Sequence, residues 1–276
     1  MGALLGGLTS LFIGLSDLFI MRIASRHHIV TVTLIVVGAA LGFGVIGLFV
    51  IDSTFIAGDI GYGMAGGVGM MVGIIFYFRA MLAASAGIVT PLIAVQTALW
   101  PLGYDVVVNE TRPAALVWVG VVVAIVALML TTFSPELRGR IATSVRLATI
   151  SGTGFGLGVL FSGLGSEESG MWVLVANRAT SFVLVLALAL VLGLPRSLGR
   201  ADLPSGLLGG VFAGLALGTY VYATQRYDLA IVGVTGSLFP AVTAFLLWRF
   251  LDQPLRWWQA VGIAGALTGT ALIALG

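Results

Sequence analysis

The sequence predicts an all-α integral membrane protein of ten transmembrane helices, arranged as two inverted five-helix repeats. Three observations predict it. Hydrophobic residues make up 59% of the chain, with a mean hydropathy of +1.12 and only 9% charged residues, far beyond the roughly 45–50% apolar content of a soluble domain. A core of ordinary size cannot hide that much apolar surface, so lipid has to cover it. Apolar stretches recur about ten times, each long enough to cross a hydrocarbon layer of roughly 30 Å as a helix. Finally, the second half of the chain repeats the first at a constant spacing.

The stretches lie at about 3–21, 29–51, 60–80, 86–108, 113–132, 147–164, 170–193, 204–224, 230–250 and 257–275. Lipid offers no partner to a backbone amide, and these runs lack the alternation of a barrel strand, so they read as helices. The first run follows only Met1 and Gly2 and carries neither a basic leader nor a cleavage motif, so it reads as a retained span. Without cysteine there is no disulfide, thiolate metal site or thiol nucleophile. His27 and His28, beside Arg22 and Arg26, read as a solvated or headgroup-facing loop and not as a metal site. The arginines are scattered singly, so the net charge of +2 is no nucleic-acid signal. No cofactor, metal or nucleic acid is expected. The expected partners are the bilayer, a small-molecule substrate and protons as candidate coupling ions, for a monomer or homodimer.

The repeat is carried by particular residues. Gly66-Gly67-Val68 recurs as Gly209-Gly210-Val211, Tyr77 as Tyr220, and Ile88-Val89 as Ile231-Val232, all 143 residues on. Gly14-Leu15 matches Gly156-Leu157, Glu110 matches Asp252, and Gly120 matches Gly262, at a spacing of 142. The expected units are residues 1–134 and 147–276, joined by a cytoplasmic linker at 135–146. A unit of five spans ends on the opposite side from where it began, so the second copy enters the membrane upside down. Loop charges agree with this. Arg22 and Arg26 follow span one whereas Glu167 and Glu168 follow span six; Asp52 and Asp59 follow span two whereas Arg196 and Arg200 follow span seven. Summed over the chain, ten arginines fall on one side and only Arg112 and Arg226 on the other, which puts both termini outside.

Two halves that each close on an acidic turn, "NETRP" and "DQPLRW", and a glycine-containing last helix resemble the drug/metabolite transporter superfamily of the EamA type. "GLSDLFIMRIASR", "YFRAMLAASAGIVTPL" and "GFGLGVLFSGLGSEESGMWVLVANRATS" are similar to a bacterial subgroup of those carriers. The resemblance implies a ten-helix carrier of the bacterial inner membrane, with a central cavity between the repeats. It implies export of a small metabolite, amino acid or toxic compound. Family members are commonly expected to keep both termini in the cytoplasm; the arginines here say the reverse.

Polar residues within spans are the site candidates, because a buried ion costs roughly 2.5–3.5 kcal/mol at a helix centre. Asp17 in span one and Arg178 in span seven are the ionisable groups that stand clear of the predicted ends. A carboxylate in a partly dry cavity can load and release a proton as the cavity alternates, which makes Asp17 the candidate for coupling; the alternative is a hydrated pair with Arg22 or Arg79. Arg178 is expected to pair with Asp17, to hold an anionic group of the substrate, or to bond helix-end carbonyls. Asn177, Gln96, Tyr77 and Tyr220 are neutral polar candidates for substrate contact, each equally able to serve as an interhelical hydrogen bond. Trp100 and Phe239 are candidates for apolar walls. Asp105 is expected at the outer interface. Pro91, Pro101 and Pro240 are expected to interrupt spans four and nine, freeing carbonyls for a cavity or for a neighbouring Ser or Thr.

The favoured function is secondary active transport by alternating access, as inverted repeats provide. A channel, facilitator or uniporter is the alternative, though a pore needs a more polar lining. An enzyme or receptor is disfavoured: no HExxH or GxSxG occurs, and no loop is longer than about fifteen residues.

Overall fold

The computed structural model describes residues 1–24, 26–83, 86–132, 141–251 and 256–275. The acidic turn at Asp252 and the first part of the 135–146 linker, with Arg138 and Arg140, lie outside the described residues. Within them the chain is helical throughout: α1 (Gly2–Ala24), α2 (Ile29–Gly47), α3 (Ala57–Ala83), α4 (Ala86–Val107), α5 (Ala115–Thr132), α6 (Ile141–Gly163), α7 (Trp172–Val191), α8 (Leu203–Thr224), α9 (Leu229–Gly236), α10 (Phe239–Leu251) and α11 (Trp257–Leu275). A short 3-10 turn at Glu167–Ser169 precedes α7. Seven stretches of the described residues, α9 with α10 counted as one, are long and apolar enough to cross a membrane. Large side chains such as Leu4, Ile46, Val122, Val183 and Leu267 stand exposed on the outside of the bundle, as a lipid solvent requires.

Proline shapes only one of the two spans where it was expected to intervene. α4 runs unbroken through Pro91 and Pro101. The segment from Leu229 to Leu251 breaks at Ser237 and Leu238, just before Pro240. Pro240 has no N–H for the carbonyl of Gly236. Ser10 on α1 replaces it: its hydroxyl lies 2.8 Å from the carbonyl oxygens of both Thr235 and Gly236. The freed carbonyls are thus satisfied by a neighbouring serine.

Packing runs mainly between the two halves of the chain. α3 lies along α6 and α7, α8 along α1 and α2, α11 along α5, α4 along α6 and α9, and α1 along α9 and α10. The α3–α6 contact is a glycine seam. A Cβ on Gly69 would meet the backbone of Gly154 and Gly158 at 2.7–2.9 Å, so only glycine permits the approach. Hydroxyls stitch the same seams: Ser151 donates to the Gly73 carbonyl at 2.7 Å and Ser16 to the Gly209 carbonyl at 2.8 Å.

Candidate functional site

Asp17 lies deeper than the sequence suggests, because α1 continues to Ala24 and places it seven residues from that end, roughly 10 Å at 1.5 Å per residue. It is half-buried and accepts a hydrogen bond from the Thr243 hydroxyl of α10 at 2.8 Å. The expected pairing with Arg22 or Arg79 is not among the ion pairs of the described residues. Two helices therefore present an aspartate and a threonine to each other.

Arg178 and Asn177 sit two turns into α7 and diverge. Arg178 donates to the carbonyl of Ala213 at 3.3 Å, midway along α8, and its buried Nε has no hydrogen-bond partner. It thus uses neither Asp17 nor a helix-end carbonyl. Asn177, fully buried against the α3–α6 seam, donates to the Ser162 hydroxyl at 2.9 Å and leaves its Oδ1 unpaired.

The other candidates occupy separate places. Gln96 packs over Gly152, and its Oε1 accepts from the Thr153 hydroxyl at 3.4 Å. Trp100, 38% exposed, covers Gly156 on α6. Phe239 is half-buried at the start of α10, after the break. Tyr77 is half-buried beside Ala80, Ile93 and Ala148. Tyr220 is 4% exposed, and its hydroxyl has no hydrogen-bond partner. The structure therefore joins Gln96 with Trp100 through α6, but does not gather all eight candidates around one point.

One polar cleft opens where α4, α6 and α8 end. It measures about 380 Å³ and is lined by Tyr104, Asp105, Asn109, Gly163, Gln225, Tyr227 and Asp228, among others. Asp105 stands two residues from the end of α4 and is only 3% exposed. One carboxylate oxygen accepts from the backbone N–H of Ala230 in the first turn of α9, and the other from the Asn109 side chain, both at 2.6 Å. A helix N-terminus in need of an anion draws the aspartate inward.

Residues 143–275 match the model of the EamA-like transporter family. The match covers the second half of the chain, and the family it names is one of multi-pass membrane transporters of the drug/metabolite type. A solved structure whose description names no function is similar over 99% of this chain and 96% of its own, at 16% identity and a TM-score of 0.80, a likeness of fold. No curated protein matches the sequence.

Two features escaped the sequence reading. His27 and His28 are not merely solvated: His27 Nε2 lies 2.8 Å from the Asp202 carboxylate, and His28 Nδ1 accepts from the Val30 N–H as the cap of α2. Asp59 and Asp202 stand 143 residues apart, the spacing of the glycine matches. Asp59 accepts from the backbone N–H of Ser166 at 3.0 Å and from its hydroxyl at 2.5 Å. Asp202 accepts from Arg26 at 3.2 Å. The constant spacing was the signal that could have found them.

Proposed function

We propose that the chain is a secondary carrier that exports a small metabolite, amino acid or toxic compound by alternating access between two inverted repeats, residues 1–134 and 147–276. One observation carries this reading: the main helix–helix contacts recur when the halves are exchanged. With α1 to α5 matched to α6, α7, α8, the α9–α10 pair and α11, the α3–α6 contact becomes α8–α1. Likewise α3–α7 becomes α8–α2, and α4–α6 becomes the contact of α9 and α10 with α1. The exchange reaches single residues, since Trp100 over Gly156 answers Val242 over Gly14. A pseudo-twofold of this kind lets the halves swap conformations and move a central site from one face to the other. Ten spans, with both termini outside the inner membrane, follow from five spans per half and from the arginine bias.

Within this frame Asp17, beside Thr243, is the proton-coupling group, and Arg178 holds an anionic group of the substrate through its unpartnered Nε. Asn177, Gln96, Tyr77, Tyr220, Trp100 and Phe239 are proposed to line the path. Counterflow of a panel of labelled metabolites in proteoliposomes tests the reading. Saturable exchange without single-channel current supports a carrier, and current overturns it. Asp17→Asn is expected to abolish concentration driven by an imposed pH gradient while sparing exchange. Retained driving makes the carrier a uniporter or couples it elsewhere.

A further inference from the structure

The face of α7 from Trp172 to Leu184 borders a groove of about 430 Å³, whose other wall is Phe55, Ile60 and Met64, on and just before α3. Glycine sets the line where the two helices touch. A Cβ on Gly63 or Gly67 would stand 2.5–2.6 Å from backbone oxygens of α7, so the backbones meet closely and leave a furrow beside the contact.

The same place in the other half of the chain is full. At a spacing of 143 residues, Val32, Val36 and Leu198 stand where the groove has Val175, Ala179 and Phe55, and those three belong to one buried cluster. Leu198 folds down on Gly206 of α8, 2.7 Å from where a Cβ would be. Phe55 instead is 61% exposed and meets the ring of Trp172 edge-on, with centroids 5.3 Å apart. An alanine in place of a valine, and an aromatic pair turned to the rim, keep open what the other half closes with its own side chains. Apolar walls without a neighbour forfeit dispersion contacts, so a guest from the surrounding medium gains by filling the groove.

Shape and charge identify the guest. Both walls belong to helices long and apolar enough to cross a membrane, so the medium is lipid. Twelve steps along α7 from Trp172 to Leu184 cover roughly 18 Å, close to half of a hydrocarbon layer of roughly 30 Å. That is the reach of one acyl chain in one leaflet, with the aromatic pair at headgroup level. The rim is acidic. The Thr54 N–H donates to the Glu168 carbonyl at 2.8 Å and ties the Phe55 segment to the turn before α7. Asp52 and Glu168 are exposed at this rim and enter no ion pair among the described residues, while Arg226, which reaches the same turn, is held by Glu167. Such a rim attracts an ammonium and repels a headgroup of net negative charge.

We propose that the groove between α3 and α7 binds one phospholipid of the phosphatidylethanolamine type, its acyl chain along Ala176 and Ala179 and its ammonium at Asp52 and Glu168. The lipid lies across a contact between the two halves of the chain, apart from Asp17 and Arg178. Its binding requires a membrane around the chain and no transport.

The test is native mass spectrometry of the full chain released from mixed micelles that hold equal amounts of dioleoyl phosphatidylethanolamine and dioleoyl phosphatidylglycerol. One retained phosphatidylethanolamine is expected, favoured roughly threefold over phosphatidylglycerol, the scale of an exposed ion pair. Asp52→Asn with Glu168→Gln is expected to erase the preference and keep a bound lipid. Ala179→Leu, which fills the groove, is expected to lower lipid retention about tenfold, as when two methylenes lose their burial. Equal retention of the two lipids by the parent overturns the proposal, and so does an unchanged preference in the charge variant or parental retention in Ala179→Leu. Should Ala179→Leu melt below the parent, quenching of the Trp172 indole decides, read as the difference between the parent and Trp172→Phe. Phosphatidylethanolamine with brominated acyl chains is expected to quench that emission more than equally brominated phosphatidylglycerol does, and equal quenching overturns the site.

Discussion

Asp59 and Asp202 occupy equivalent places at opposite ends of the bundle, and their partners differ. Each stands at the start of the third helix of its half, and each reaches the loop that follows the first helix of the other half. Asp59 is 7% exposed and takes both of its donors from one uncharged residue, Ser166. Asp202 is half-buried and takes its donors from His27 and from Arg26, whose side chain is 67% exposed. An anion stands at each end of the bundle, and the partner decides its character. One latch sets a buried carboxylate on an uncharged partner; the other sets a half-buried carboxylate on ionisable ones.

The seams beneath the latches carry the same contrast and the largest expected effect. Gly69→Ala drives a Cβ into the backbone of Gly154 and Gly158, which cannot yield as a side chain would. Overpacking of this kind costs about 1–3 kcal/mol, so the variant is expected to melt several degrees below the parent in detergent. Gly209 is the counterpart of Gly66 in the α1–α8 seam, and its Cβ would meet Ile20 at 3.3 Å and the Ser16 carbonyl at 3.5 Å. Gly209→Ala is expected to melt within a degree or two of the parent. Equal losses would show that the two seams do not differ in tolerance.

The latches come next. Asp59→Ala removes the acceptor of the Ser166 N–H and hydroxyl; because Ser166 itself is exposed, a loss of about 1 kcal/mol is expected, read as a lowered melting temperature. Ser166→Ala, which keeps the backbone donor, is expected to lose less. Asp202→Ala is expected to shift the melt less than either, since water replaces its partners. A larger shift for Asp202→Ala would reverse the ranking of the two latches.

The frame of this molecule was legible because lipid enforces it. Long apolar runs and small residues every few positions are demanded by a solvent that satisfies no backbone group, and a spacing near 143 survives in glycines such as Gly66 and Gly209. The polar contacts were less legible because they join residues far apart in sequence: Thr243 with Asp17, Ser162 with Asn177, Ser10 with the break before Pro240. The partner of Asp105 was hidden for a related reason: its place near the end of α4 is read from the sequence, but the N-terminus of α9 that it caps belongs to the other half of the chain. Asp59 and Asp202 were within reach, since their spacing is that of the repeat; only the attention given to glycines hid them.

The smallest expected effect separates the latches by acid and salt. The hydrogen bond from His27 holds the Asp202 carboxyl below its ordinary value of 3.8, aided by the positive charge of Arg26. A carboxylate depressed on folding stabilises the folded chain above its unfolded value, and that contribution is lost as pH falls through the lowered folded value. The window therefore begins near pH 4 and extends below it. Melting curves in detergent between pH 7 and pH 3 are expected to show the parent losing more stability in that window than Asp202→Asn, whose amide does not titrate. Salt provides the second reading. Raising ionic strength toward 1 M shortens the screening length to about 3 Å, so added salt is expected to narrow the gap between the parent and Asp202→Asn at neutral pH. The gap between the parent and Asp59→Asn, which involves no cationic partner, is expected to change less. Acid and salt profiles that are the same for both aspartates would mean that the partner does not set the character of the latch, and the contrast between the two mouths would fail.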